Sequence, residues 1–386
     1  MSVTIVKVKG VKIKIHFTFF IVFALITWTL STHLFPMLLP GLTYAVYLFV
    51  AVVGVIILFV SVILHELAHS IMAIRYGIKV RQIVLFIFGG VSDIEEEPRD
   101  FRKEFKIAIV GPVTSFALVG IFSFLRFLIE SIAVGTDAPT ILQAIDAILY
   151  YGAVVNLMLG AFNLIPAFPL DGGRILRAVL IKYKRDYDSA TRIVVRISII
   201  ISYSLMGIGF LGIVTRSFVG GLWILLIGWF LNSGAQSYLQ QQELVSVLSG
   251  VRLRDFMNTN IIAVRKGSNL NEIFRNFFEA YMKTAFPIID HSGSLLGLIT
   301  LPIATGVSKD KRHLTIVDDI MIPRNELILM NHNSNAYQAL NEMARRKMNM
   351  VFVCDAAGKI QGLITKTDIL GIAAERQKYF RTLKWK

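Results

Sequence analysis

The chain has 386 residues and 43.2 kDa, with 55% apolar residues, 17% charged residues and a mean hydropathy of +0.63, which excludes a wholly soluble, disordered or collagen-like protein and points to membrane spans. Its single cysteine, Cys354, excludes an intramolecular disulfide and a cysteine-rich zinc site. The net charge of +14 fits either nucleic acid or an anionic membrane surface, and the placement of the basic residues decides between the two.

Residues 3–16 read as an amphipathic, strand-like start that carries Lys7, Lys9, Lys12 and Lys14. Residues 17–64 contain no Asp, Glu, Lys or Arg, enough for two spans of about 20 residues on either side of the breaker Leu39-Pro40-Gly41. The first of these is too long for a signal-peptide core and is expected to remain as a span. Residues 80–93, with Gly89-Gly90, read as a short β-hairpin or re-entrant strand, and Glu95-Glu96-Glu97 beyond it as a solvated charge run. Further spans are expected over residues 107–125, 141–170, 197–215 and 218–242, six in all. Just beyond the third of the six, near the far interface, Arg126 and Glu130 form an i, i+4 pair, and within the fourth Asp146 and Asn156 are suited to interhelical hydrogen bonds.

Lys and Arg concentrate before the first span and in alternate connections, with Arg75, Lys79, Arg81, Arg99, Arg102 and Lys103 after the second and Arg174, Arg177, Lys182, Lys184 and Arg185 after the fourth. The intervening connections hold almost none. By the positive-inside rule this places both termini in the cytoplasm of a multi-pass cell-membrane protein. The basic excess is thereby a topology signal, and no nucleic-acid partner is expected.

His65-Glu66-Leu67-Ala68-His69 lies near the cytoplasmic end of the second span. On a helix the two histidines fall at i and i+4, so both imidazoles project from one face and can share a Zn²⁺, with Glu66 beside them as a general base. Ionisable groups inside a span are costly and functional by default, which favours this reading over a merely polar helix end. A catalytic zinc needs a third ligand, and the best candidate is Asp171 in Asn163-Leu164-Ile165-Pro166-Ala167-Phe168-Pro169-Leu170-Asp171-Gly172-Gly173. The prolines break the helix, the glycines permit a tight turn, and Asp171 can also cap the helix expected to begin near Arg174, since a carboxylate has two oxygens and the two roles are compatible. His16 and His33 flank the first span and read as interfacial polar residues.

Taken together, in this order and on two different spans, the two motifs resemble the site-2 protease family of intramembrane zinc metalloproteases, whose pattern is H-E-x-x-H followed by N-x-x-P-x-x-P-L-D-G. The resemblance covers residues 1 to 240. It implies His65, His69 and Asp171 as zinc ligands, Glu66 as general base and Asn163 as the donor to the oxyanion or substrate carbonyl. It further implies a transmembrane helix of a membrane-protein substrate as partner, which must unwind before cleavage, and the free edge of the hairpin at residues 80–93 is suited to pair with the unwound strand. One departure is Ser115 in Gly111-Pro112-Val113-Thr114-Ser115, where many relatives carry Asn; it is expected to bear on packing or a polar contact and not on the metal.

Beyond residue 242 the composition turns soluble and a repeat appears. Phe286-Pro287-Ile288-Ile289-Asp290 with Gly297-Leu298-Ile299-Thr300 recurs as Val351-Phe352-Val353-Cys354-Asp355 with Gly362-Leu363-Ile364-Thr365. This region, residues 250–375, resembles a tandem pair of CBS domains. That family's ribose-binding pattern, Thr or Ser followed three residues later by Asp, is met by Thr365 and Asp368; in the first unit Thr300 is followed by Ile303. The resemblance implies a site for ATP or another adenine nucleotide as regulator, or a module that only joins copies of the chain into a homo-oligomer.

The expected fold is an α-helical polytopic membrane protein with six transmembrane helices and a small β-hairpin or re-entrant segment, followed by a cytoplasmic α/β tandem CBS module. The expected boundaries are 1–242 for the transmembrane metalloprotease domain, 243–250 for a linker, 251–310 and 311–375 for the CBS domains and 376–386 for a tail. A CBS-regulated metal transporter is the competing reading. It predicts a repeat within the membrane half, which is not evident, and gives no reason for Glu66 between two ligands.

Overall fold

The computed structural model describes residues 2–86, 89–94, 98–133, 140–215, 218–355 and 358–383, which fall into two compact units, Met1–Leu239 and Gln240–Lys386. The acidic run Glu95-Glu96-Glu97 and Arg216 lie outside the described residues.

In the first unit, β1 (Ser2–Val8) and β2 (Val11–His16) form a hairpin whose turn residues Lys9 and Gly10 both have positive φ, 46° and 89°, the geometry that two-residue hairpin turns require. The expected hairpin at residues 80–93 is also present, as β3 (Val80–Phe86) and β4 (Gly89–Ile94). The two hairpins join into one sheet of order β1-β2-β3-β4, parallel between β2 and β3 and antiparallel elsewhere. Alternation explains the joining: Val11, Ile13, Ile83 and Leu85 are buried on one face, with Lys12 and Lys14 on the other.

The helices are α1 (Thr18–Leu38), α2 (Tyr44–Arg75), α3 (Phe101–Ala133), α4 (Thr140–Asn163), α5 (Asp171–Lys184), α6 (Tyr187–Thr215) and α7 (Phe218–Leu248). Among the described residues five of them, α1, α2, α3, α4 and α6, are long and apolar enough to cross a membrane. The sixth expected span is part of α7, a continuous helix of 31 residues. Large apolar side chains such as Phe20, Phe49, Phe124 and Trp223 are exposed, as lipid-facing residues are. Phe19, Val55, Phe59, Leu85 and Tyr151 pack a common core between α1, α2, α4 and the sheet. Asn156 donates to Ser61 Oγ at 2.9 Å, tying α4 to α2, and Arg126 pairs with Asp146 at 2.8 Å, tying α3 to α4, and with Glu130 of its own helix at 3.1 Å. For Asp146 and Asn156 these are the expected interhelical bonds, and Arg126 and Glu130 form the expected i, i+4 pair.

Among its described residues the second unit holds two sheets. One has order β5-β6-β7-β8, from β5 (Val264–Arg265), β6 (Ala285–Ile289), β7 (Leu295–Thr300) and β8 (Ile322–Pro323); the other has order β11-β10-β9, from β9 (Leu329–Met330), β10 (Met350–Cys354) and β11 (Ile360–Thr365). The sequence repeat is a repeat of backbone. The β6–β7 and β10–β11 pairs each carry a register shift at the matching place, Ile288/Ile289 and Val353/Cys354, and Gly293 and Gly358 both have φ 83° in the matching turns.

The stretch 243–250 is helical to Leu248, and Val247 and Leu248 are buried in the second unit's core beside Leu253, Val351 and Ile364. Leu244, Val247, Leu248 and Val251 recur at helical spacing, so the segment has an apolar stripe to bury where a loose linker has none. Likewise residues 376–383 continue helix Lys366–Leu383, with Arg376 donating to the Val247 carbonyl at 3.1 Å and Gln377 to Glu243 at 2.7 Å.

Candidate metal centre

His65 and His69 project from one face of α2 with ring centroids 4.9 Å apart. Asp171 Oδ2 lies 3.1 Å from His65 Nε2 and 3.0 Å from His69 Nε2, so residues 106 positions apart meet at one point. Donor atoms of the three lie within 4.8 Å of one another, with both imidazoles buried and the Asp171 side chain 11% exposed.

The chain reaches this geometry by breaking α4. The helix ends at Asn163, Pro166 and Pro169 follow, the Phe168–Pro169 peptide is cis, and the Phe168 N–H donates to Ser198 Oγ at 2.8 Å on α6. Gly172 and Gly173 let α5 start hard against this loop, because a Cβ on Gly172 would lie 2.2 Å from the Ile165 carbonyl oxygen and one on Gly173 2.7 Å from the Ala167 carbonyl carbon. Leu170 holds the N-cap position and makes no side-chain cap, so Asp171 is the first helical residue and turns its carboxylate to the histidines instead of capping the helix.

The second nitrogen of each imidazole is engaged. His69 Nδ1 lies 2.6 Å from the Ile107 carbonyl, which can only accept, so Nδ1 carries a hydrogen; His65 Nδ1 lies 2.9 Å from Ser115 Oγ. A neutral His69 then presents the Nε2 lone pair to a carboxylate oxygen 3.0 Å away. Two acceptors at that distance require a proton or a metal cation between them, and two imidazoles with a carboxylate are a donor set suited to zinc. The Ser115 departure is therefore a polar contact, one of the two expected kinds, and it is made to the second nitrogen of a candidate ligand.

Around Glu66 the structure adds residues that spacing did not single out. Ser92 on β4 donates to Glu66 Oε2 at 2.7 Å, Ser70 Oγ lies 3.3 Å from Ser92 Oγ, and a Cβ on Gly90 would lie 2.6 Å from Glu66 Cγ. Gly111 on α3 faces the histidines as closely. The position of Ser70, four residues beyond Glu66, was the available signal; nothing local marks Ser92. Asn163 Nδ2 donates to the Leu159 carbonyl of its own helix at 2.9 Å. His16 and His33 bond to Thr18 and Thr32 respectively and do not join the cluster. Behind the centre, the fully buried Arg177 of α5 pairs with the fully buried Glu104 of α3 and donates to Tyr238, between the rings of Phe168, Tyr187 and Tyr238.

In the second unit, Asp368 Oδ2 accepts from Thr365 N at 2.8 Å and from Thr365 Oγ1 at 2.7 Å, while Thr365 Oγ1 lies 3.3 Å from Asp368 N. The pair forms a reciprocal cap on the last helix, a structural role that coexists with one free carboxylate oxygen.

Comparison with known proteins agrees with both halves. The family model for peptidase family M50 matches residues 53–136 and 128–205, and that for the CBS domain matches residues 253–301 and 317–375. Zinc metalloprotease MJ0392 of Methanocaldococcus jannaschii is 31% identical over 370 residues, covering 96% of this chain and 95% of that protein. Rip3 of Mycobacterium tuberculosis is 29% identical over 363 residues, covering 94% of this chain and 90% of its own length. The solved site-2 protease from Methanocaldococcus jannaschii is 31% identical and aligns over 62% of this chain and 95% of that one, with a TM-score of 0.42.

Proposed function

The chain belongs to the zinc metalloproteases of peptidase family M50, of the site-2 protease type, and we propose that it hydrolyses a peptide bond in or near a transmembrane segment of a membrane-protein substrate, with His65, His69 and Asp171 holding the zinc. The observation that carries this is the convergence of the two Nε2 atoms and Asp171 Oδ2 on one buried point, with Glu66 next in the chain. When bound there, zinc supplies a Lewis acid that acidifies water toward a pKa of about 7 and polarises a peptide carbonyl. Glu66 accepts the proton from the attacking water and returns it to the leaving amine. Asn163 donates its amide to the developing oxyanion, for which it exchanges its bond to the Leu159 carbonyl.

The substrate helix has to unwind, since a helical amide is shielded and already bonded. β4 ends the sheet order, and its inner face touches Glu66, which supports its outer edge as the place where an unwound substrate strand pairs. The distribution of Lys and Arg supports cytoplasmic termini and a cytoplasmic CBS pair. Adenine nucleotide binding at Thr365 and Asp368 modulates cleavage; the match of the CBS model to both repeats and the open oxygen of Asp368 support this regulatory reading.

Incubation of the purified full-length protein in detergent with candidate single-span substrates tests the activity. Cleavage that a zinc chelator abolishes and added zinc restores is the expected result; chelator-insensitive cleavage or none excludes it.

A further inference from the structure

The β3–β4 register pairs Ile83 with Ser92 and Leu85 with Gly90. Alternation puts these four residues on one face, which Ile83 and Leu85 bury against the helices. On that face Gly90 leaves room for Glu66, since a Cβ there would lie 2.6 Å from Glu66 Cγ, and Ser92 Oγ donates to Glu66 Oε2 at 2.7 Å. Glu66 and Ser70, at i and i+4, present both their side chains to β4. The single hydroxyl hydrogen of Ser92 is committed to Glu66, so across the 3.3 Å contact the fully buried Ser70 is the donor and Ser92 the acceptor. A directed chain therefore runs from Ser70 to Ser92 to Glu66, in which each bond polarises the next.

We infer that Ser92 is a positioning residue for Glu66: it fixes one carboxylate oxygen, Oε2, so that the other faces the reacting water, with Ser70 holding Ser92 in turn. This rests on the reading of Glu66 as the base. A carboxylate on a flexible two-carbon stem samples several rotamers, and a charge-assisted bond from a sheet residue selects one of them before substrate arrives. Loss of that bond lowers the rate of the chemical step and leaves the metal and the binding of substrate untouched, because among the described residues the histidines and Asp171 bond to one another, to Ser115 and to the Ile107 carbonyl, and not to Ser92.

The test uses the zinc-loaded full-length protein in detergent and a single-span substrate, with kcat, KM and metal content measured for Ser92→Ala, Ser92→Val, Ser92→Thr and Ser70→Ala. Val and Thr have the same shape, and only Thr keeps the hydroxyl. We expect Ala and Val at position 92 to retain stoichiometric zinc and wild-type KM while kcat falls roughly tenfold to a hundredfold. Ser92→Thr recovers most of kcat, and Ser70→Ala loses less than Ser92→Ala. Equal kcat for the Val and Thr variants overturns the inference, as does a raised KM at unchanged kcat, which would make Ser92 part of the substrate-docking edge. Glu66→Gln in the same preparation separates the two readings. Turnover in the zinc-loaded Gln variant removes Glu66 as base whatever the Ser92 variants do, whereas an inactive Gln variant beside a fully active Ser92→Val removes only the role of Ser92.

Discussion

Gly111 stands so close to His69 that a Cβ at its position would lie 2.1 Å from His69 Nε2, and 2.6 Å from His65 Nε2. The absent side chain is the space in which the candidate ligand atoms face one another. Gly111→Ala is therefore expected to lose zinc while the spans still form, which metal analysis and circular dichroism on the purified protein would establish. Gly120→Ala on the same helix meets nothing within 4 Å and is the control, with zinc retained and stability unchanged or raised by up to about 1 kcal/mol.

The candidate ligands and the candidate base differ in what their removal does. His65→Ala, His69→Ala and Asp171→Ala should each fall well below stoichiometric zinc, because each removes a donor atom from a set of three. Glu66→Gln should keep zinc and lose cleavage. Stoichiometric zinc in the Asp171 variant would point to another third ligand.

For Asn163→Ala the expected loss is about 10²–10³ in kcat with zinc retained, the typical cost of one oxyanion donor. Its amide bonds to Leu159 O at the end of α4, next to the loop that delivers Asp171. If zinc departs together with activity, Asn163 supports that loop and the donor role is wrong.

The Arg177–Glu104 pair gives a stability prediction. Arg177→Met leaves the Glu104 carboxylate buried without its guanidinium, which costs about 3–5 kcal/mol and should lower the thermal midpoint in detergent. The double variant Arg177→Met with Glu104→Gln should recover part of that loss. Since α5 carries both Arg177 and Asp171, zinc affinity should weaken in the single variant as well.

Nucleotide regulation is tested by calorimetry with ATP on the full-length protein, followed by cleavage assays of wild type and Asp368→Ala with and without nucleotide. Binding that Asp368→Ala abolishes, accompanied by a change in rate, is expected, because an effector must favour one state of the enzyme over another. The variant also removes a helix cap worth about 1 kcal/mol, so its folding is checked by thermal unfolding in parallel.

What the sequence determined by itself is whatever lies within one rigid element or one repeated motif. Helical spacing puts His65, His69 and Glu66 on neighbouring faces of α2, apolar length marks the spans, and the doubled β-β unit announces a module whose matching bulges and turns the structure reproduces. The pattern around Asp171 pointed to the third ligand, but only packing decided that its carboxylate would turn to the histidines instead of capping α5. Ser92 reaches Glu66 through strand register, Ser115 reaches His65 and Glu104 reaches Arg177 through helix packing, and Gly111 shows its purpose only where α3 crosses the two histidines. Neither register nor crossing is written in local spacing. Each follows from how side chains interdigitate between elements far apart in the chain, where a one-residue slip would turn Ser92 to the opposite face of the sheet.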